Sequence, residues 1–190
     1  MKLQNTIIYL IGYPGVGKLT TARVLCDATG ATLIDNHMAN NPIFKIIGAD
    51  GITPIPEAAW DRVKAVRDIL FDTILNVAPK DTSFVLTNVL LNDEGDRALF
   101  YQVRKLAEDR GSIFVPVILQ CEEEEQCHRV VSPERTEDMK ATNADSIKQL
   151  ISEEPLLSIA HTNLMELDNT MLPAKDTACV ILEHTQKLSI

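Results

Sequence analysis

Residues 6–20 read Thr-Ile-Ile-Tyr-Leu-Ile-Gly-Tyr-Pro-Gly-Val-Gly-Lys-Leu-Thr. The first six are β-favouring and almost wholly apolar, so 6–11 reads as a strand covered on both faces. Three glycines within the next six residues then break the strand, and a helical pattern opens at residue 17. Strand, glycine-rich turn and helix in that order make a cradle for phosphate. Glycine lets the chain turn tightly enough for successive N–H groups to point inward. The helix adds its positive end. Lys18 extends a point charge toward the β and γ phosphates, and Thr20 offers a hydroxyl to a phosphate nearer the base. Gly12, Pro14, Gly15, Val16, Gly17, Lys18, Leu19 and Thr20 are therefore the candidate nucleotide-binding residues. One position departs from the general pattern. Leu19 stands where a Ser or Thr would hold magnesium, so the metal must be held through water or by other groups.

Outward from this stretch, apolar runs alternate with helical patterns. Strands are predicted at 6–11, 31–34, 83–91, 112–119 and 164–167, and helices at 17–28, 57–77, 94–110, 122–131, 143–152 and 174–186. That alternation implies parallel strands joined by crossover helices, an α/β fold. Pro56 suits a first helical turn, Gly111 a helix end, and Thr142-x-x-Asp145 a capping box. The four glutamates at 122–125 open a helix, where its positive end favours them. Two segments, 38–55 and 131–141, read as long irregular connections. Each follows the C-terminal end of a strand, the side on which open α/β sheets bind ligands. No internal repeat is visible.

The 190 residues are 45% hydrophobic and 24% charged, enough apolar surface for a real core and too much for disorder. Eighteen basic against 27 acidic residues leave a net charge of -9. This excess argues against nucleic acid or an anionic membrane as partner. No run approaches the length of a membrane span, and the N-terminus lacks the pattern of a signal peptide. Cys26, Cys121, Cys127 and Cys179 form no metal-type pair and read as free thiols of a reducing compartment, which makes the cytoplasm the expected location.

Gly-x-Pro-Gly-x-Gly-Lys-x-Thr at 12–20 resembles the phosphate loop of adenylate kinase and its relatives, in which the residue after the lysine is also often not a hydroxyl. Over most of its length the chain is similar to the nucleoside-monophosphate-kinase-like group of P-loop kinases, to which shikimate and gluconate kinases also belong. The resemblance implies a three-layer P-loop NTPase fold within one domain over 1–190. Its five-stranded parallel sheet would run in order 2-3-1-4-5, with helices on both faces. It also implies an acceptor-binding segment at about 38–77 and a small arginine-bearing lid at about 122–142. The implied chemistry is transfer of the γ-phosphoryl group of ATP, with Mg2+, to a small-molecule or nucleotide or nucleoside acceptor.

On that resemblance the catalytic candidates are Lys18, Asp35, Arg129 and Arg135. Asp35 ends the second strand, where a carboxylate contacts the acceptor hydroxyl in the sugar- and shikimate-type kinases; it reads equally as a cap on the following turn. His37 is either an acceptor contact or an ordinary histidine. Arg62 and Arg67 have no carboxylate three or four residues away on their helix. Each could grip an anionic acceptor or lie solvated with its stem on apolar surface. Arg129 and Arg135, with Lys140 as a weaker member, would close over the transferring phosphate or pair with nearby glutamates. At the end of the third strand Thr87-Asn88 replaces a magnesium-holding aspartate, and Asp93 lies farther out. Residues 167–170 resemble the turn that lies beside the base in the family, or are a plain Asx turn. No metal ligand is assigned. The missing hydroxyl at 19 and the missing aspartate motivate an alternative: a nucleotide-binding regulatory protein with weak or no transfer.

Overall fold

The computed structural model describes residues 2–50, 53–131 and 143–188. Along the chain these form β1 (Thr6–Ile11), α1 (Lys18–Thr29), β2 (Thr32–Asp35), α2 (His37–Ile46), α3 (Glu57–Asn76), β3 (Phe84–Asn88), α4 (Glu94–Arg110), β4 (Ile113–Gln120), α5 (Glu123–Val130), α6 (Ala144–Glu153), β5 (Met165–Asp168) and α7 (Ala174–Lys187). The sheet order is β2-β3-β1-β4-β5, with every pairing parallel. The order expected from the resemblance is therefore the one observed.

Period-two alternation along β1 builds two cores from one strand. Ile7, Tyr9 and Ile11 pack with Phe71 and Ile74 of α3 and Leu99, Phe100 and Val103 of α4. Ile8 and Leu10 point the other way, into a layer with Ala22 and Leu25 of α1 and Ala178 and Ile181 of α7. All six residues of β1 are buried, because the strand is central as well as covered above and below. Helices on both faces make the three layers.

Three local expectations change. The segment 38–55 is not irregular throughout: its first part is α2, which contains Pro42. A proline inside a helix removes a backbone hydrogen bond, which is why Asn40-Asn41-Pro42 reads as a breaker. Tertiary packing outweighs that cost, for Ala39 is buried and Phe44 meets Trp60 of α3 edge to face, ring centroids 5.2 Å apart. The third strand ends at Asn88 rather than 91, with Leu91 in a lone antiparallel bridge to Leu156. The cap of α6 is Asn143, which accepts from the N–H groups of Asp145 and Ser146; Thr142 lies outside the described residues.

Candidate active site

The phosphate loop leaves the C-terminal end of β1 and is held from three sides. Gly15 has a positive φ of 91°, and a Cβ there would stand 2.6 Å from Val130 Cγ2 and 3.0 Å from the Gln126 carbonyl of α5. Only glycine permits that approach. Gln126, 2% exposed, donates from Nε2 to the Pro14 carbonyl at 2.6 Å. From the turn after β5, Asn169 Nδ2 donates to the Val16 carbonyl at 2.8 Å. From the segment after α6, the Glu154 carbonyl accepts from the Tyr13 hydroxyl at 2.8 Å. Tertiary contacts thus consume loop carbonyls. No side chain caps the N-terminus of α1, and its first turn holds no acidic residue, whereas Asp93 caps α4 and Asn143 caps α6. An uncapped helix start beside a lysine suits a bound anion. Lys18 Nζ lies folded over the loop, 2.6 Å from the Gly12 carbonyl and 2.9 Å from that of Tyr13.

Arg129 borders the same loop. Its Nε donates to Glu125 (2.8 Å) and its Nη2 to the carbonyls of Asn169 and Thr170 (3.1 and 2.9 Å). Its Nη1 is 3.9 Å from where a Cβ on Gly17 would stand. Arg129 is thus paired with a glutamate, as one of its two readings expects, and stands at the loop's rim. The 168–170 turn is an Asx turn, closed by Thr170 N and Oγ1 on Asp168 Oδ1, and it lies against the phosphate loop as well. Arg135 and Lys140 fall outside the described residues.

Two strands away, at the same edge of the sheet, Asp35 closes β2 opposite Thr87 of β3. The Asp35 carboxylate accepts from Thr87 Oγ1 (2.7 Å) on one oxygen, and on the other from His37 N (2.9 Å) with His37 Nδ1 at 2.5 Å. Burial pushes the Asp35 pKa up, but the hydrogen bonds and charge of His37 and the bond from Thr87 outweigh it, and the carboxyl is held below its ordinary value. Asp35 is therefore both the turn-closing residue and an ionised group at the sheet edge.

Beside it opens a small cleft lined by Asp35, Asn36, Asn40, Arg67, Leu70, Phe71 and Asn88 among others. The structure separates the two arginines of α3. Arg62 turns outward, donating to the Ala58 carbonyl at 3.1 Å with Asp61 at 4.0 Å. Arg67 lines the cleft, and its buried Nε has no hydrogen-bond partner among the described residues. Asn88 accepts from the hydroxyl of wholly buried Tyr9 at 3.0 Å. Asp93, the outlying carboxylate, serves as the α4 cap through Asp96 N. The sequence did not single out Tyr9 or Gln126 as site residues, and it marked Thr87 only as standing where a magnesium-holding aspartate is missing. Their roles come from long-range contacts that leave no local pattern.

A phosphate loop on the central strand of a β2-β3-β1-β4-β5 parallel sheet defines a class: the chain has the P-loop kinase fold. No family model matches the sequence, and no curated protein matches it either. Solved structures do resemble it over nearly the whole chain. A gluconokinase from Sinorhizobium meliloti has a TM-score of 0.64 at 16% identity, covering 98% of this chain and 95% of that one. A thymidylate kinase from Candida albicans has a TM-score of 0.60 at 17% identity, covering 100% and 96%. A shikimate kinase from Acinetobacter baumannii, in complex with shikimate, has a TM-score of 0.52 at 15% identity, covering 96% and 93%.

Proposed function

We propose that the protein is an ATP-dependent phosphotransferase that moves the γ-phosphoryl group to a hydroxyl of a small acceptor carrying an anionic group. One observation carries this reading: the phosphate loop and the ionised Asp35 stand at the same edge of one sheet, with a cleft beside Asp35 into which Arg67 faces. The loop residues 12–20 and Lys18 hold the donor phosphates. Asp35 supplies the negative charge that orients the acceptor's hydroxyl for attack, and Arg67 grips a carboxylate or phosphate on the acceptor, bidentately if it can. Arg129, at the rim, meets the nucleotide, and Arg135 joins it in closing the lid. Water exclusion on closure strengthens each of these interactions. Among the described residues no group of three or more His, Cys, Asp or Glu is placed to hold a metal ion, and Leu19 offers no oxygen. Magnesium would arrive on the nucleotide and meet the protein through water, supplying charge neutralisation at the phosphates.

The substitution at Leu19 favours a second reading, a nucleotide-binding regulator with little transfer. γ-Labelled ATP incubated with hydroxy acids, sugars, nucleosides and nucleotides separates the two. The kinase reading expects label on at least one acceptor. ATP binding without transfer to any, in the presence of several divalent metals, would leave the regulator. Lys18→Ala is expected to weaken ATP binding at least several-fold, measured by calorimetry; unchanged affinity would place the phosphates elsewhere.

A further inference from the structure

Asp35 is too heavily bonded to act alone as a base. Oδ2 accepts from Thr87 Oγ1, and Oδ1 faces both the N–H and the Nδ1 of His37. Three donors on one carboxylate stabilise its ionised form and lower its proton affinity. The same contacts have a second effect. An ionised carboxylate 2.5 Å from Nδ1 requires that nitrogen to carry the hydrogen, which leaves the lone pair of a neutral ring on Nε2. Nε2 has no hydrogen-bond partner among the described residues, and the side chain keeps 27% of its surface exposed.

The dyad also stands on the donor's side of the sheet. Leu33 and Val85 pack into the layer that holds Ala22 and Leu25 of α1, while Ile34 and Leu86 pack into the opposite one. By strand alternation Asp35 and Thr87 side with Leu33 and Val85, on the face of the helix that begins at Lys18, while Asp35 at the strand end also borders the cleft that Ile34, Leu86 and Arg67 line on the other face. His37, the first residue of α2, follows directly from that strand end.

We propose that His37 is the proton acceptor of the transfer, with Asp35 and Thr87 as the positioning residues behind it. The acceptor oxygen bonds to the γ-phosphorus as its proton passes to Nε2. The bond from that phosphorus to the β–γ bridging oxygen breaks, and its electron pair leaves with ADP. The proton remains on an imidazolium whose charge Asp35 balances. This inference rests on the phosphotransferase reading above and names the group that serves it.

The test uses the whole chain with γ-labelled ATP, following label into water and into the acceptor panel. His37→Asn is the informative variant. Its amide N–H can still reach Asp35 in place of Nδ1–H, but it has no basic nitrogen, so a merely structural histidine would be rescued by it. The expected result is a fall in turnover of about ten-fold or more, with ATP affinity and thermal midpoint close to wild type. Added imidazole is expected to restore part of the turnover of His37→Ala. Wild-type turnover in His37→Asn would overturn this inference while leaving the kinase reading in place. Wild-type protein that binds ATP yet labels neither water nor any acceptor would remove both.

Discussion

Gly15 carries two constraints that only glycine satisfies: a positive φ, and a Cβ position already occupied by α5. Gly15→Ala must therefore push the loop away from Val130 and Gln126 or strain its own backbone. We expect a loss of about 1–3 kcal/mol in stability and a clear loss of ATP affinity, read by urea unfolding and calorimetry on the same variant. Asp35 makes a prediction in pH. Burial alone would raise its pKa, but the His37 and Thr87 contacts bring it below the ordinary 3.8. A lowered folded value means that the stabilisation is fully present above the unfolded value and is lost as pH falls through the folded one. The stability gap between wild type and Asp35→Asn should thus not shrink between neutrality and about pH 4, and should close only below it. Urea unfolding across that range checks the sign; a gap closing on the alkaline side would contradict it.

The helices differ in what their ends do. α4 begins with a satisfied cap at Asp93 and ends on Arg110, which is 4% exposed. Its guanidinium donates to the carbonyls of Ile74 and Pro79, reaches those of Ala78 and Thr82, and lies over the Phe84 ring at 5.2 Å. One side chain thereby closes the turn between α3 and β3. Arg110→Met keeps most of the stem but leaves those carbonyls without their donor. We expect a destabilisation of about 2–4 kcal/mol, visible as a lower urea midpoint with little change in slope. α1 begins without any side-chain cap, an arrangement that a bound phosphate would complete.

At the scale of the whole molecule, the candidate site lies where α3, the β2 and β3 ends and the glycine-rich loop come together at one sheet edge. The charge of Arg67 works against the burial that raises the pKa of Tyr9 and Asp96, and its buried Nε lacks a hydrogen bond among the described residues. Its removal should affect the acceptor and not the donor. Arg67→Met is expected to raise the acceptor KM by about ten-fold or more with ATP affinity unchanged, once the label-transfer panel has yielded an acceptor. Equal loss for both ligands would mean that the arginine supports the sheet edge rather than the acceptor. No helix among the described residues is long and apolar enough to cross a membrane.

Residues 6–20 were sufficient to place the strand, the glycine turn and the helix start, because all three are local preferences written in consecutive side chains. The alternation of apolar runs likewise carried the parallel sheet, since crossover helices are what such a pattern can pack. Sequence could not choose between Arg62 and Arg67. They lie five residues apart on one helix, and only the docking of α3 against the sheet turns one outward and one into the cleft. Nor could it pass Pro42, because the contacts that offset a proline in α2 come from α3. The bonding of Asp35 to Thr87 across 52 residues was equally hidden. Short-range conformational energies are legible in neighbouring residues, whereas the environment of a charged side chain is set by whatever the distant chain brings beside it.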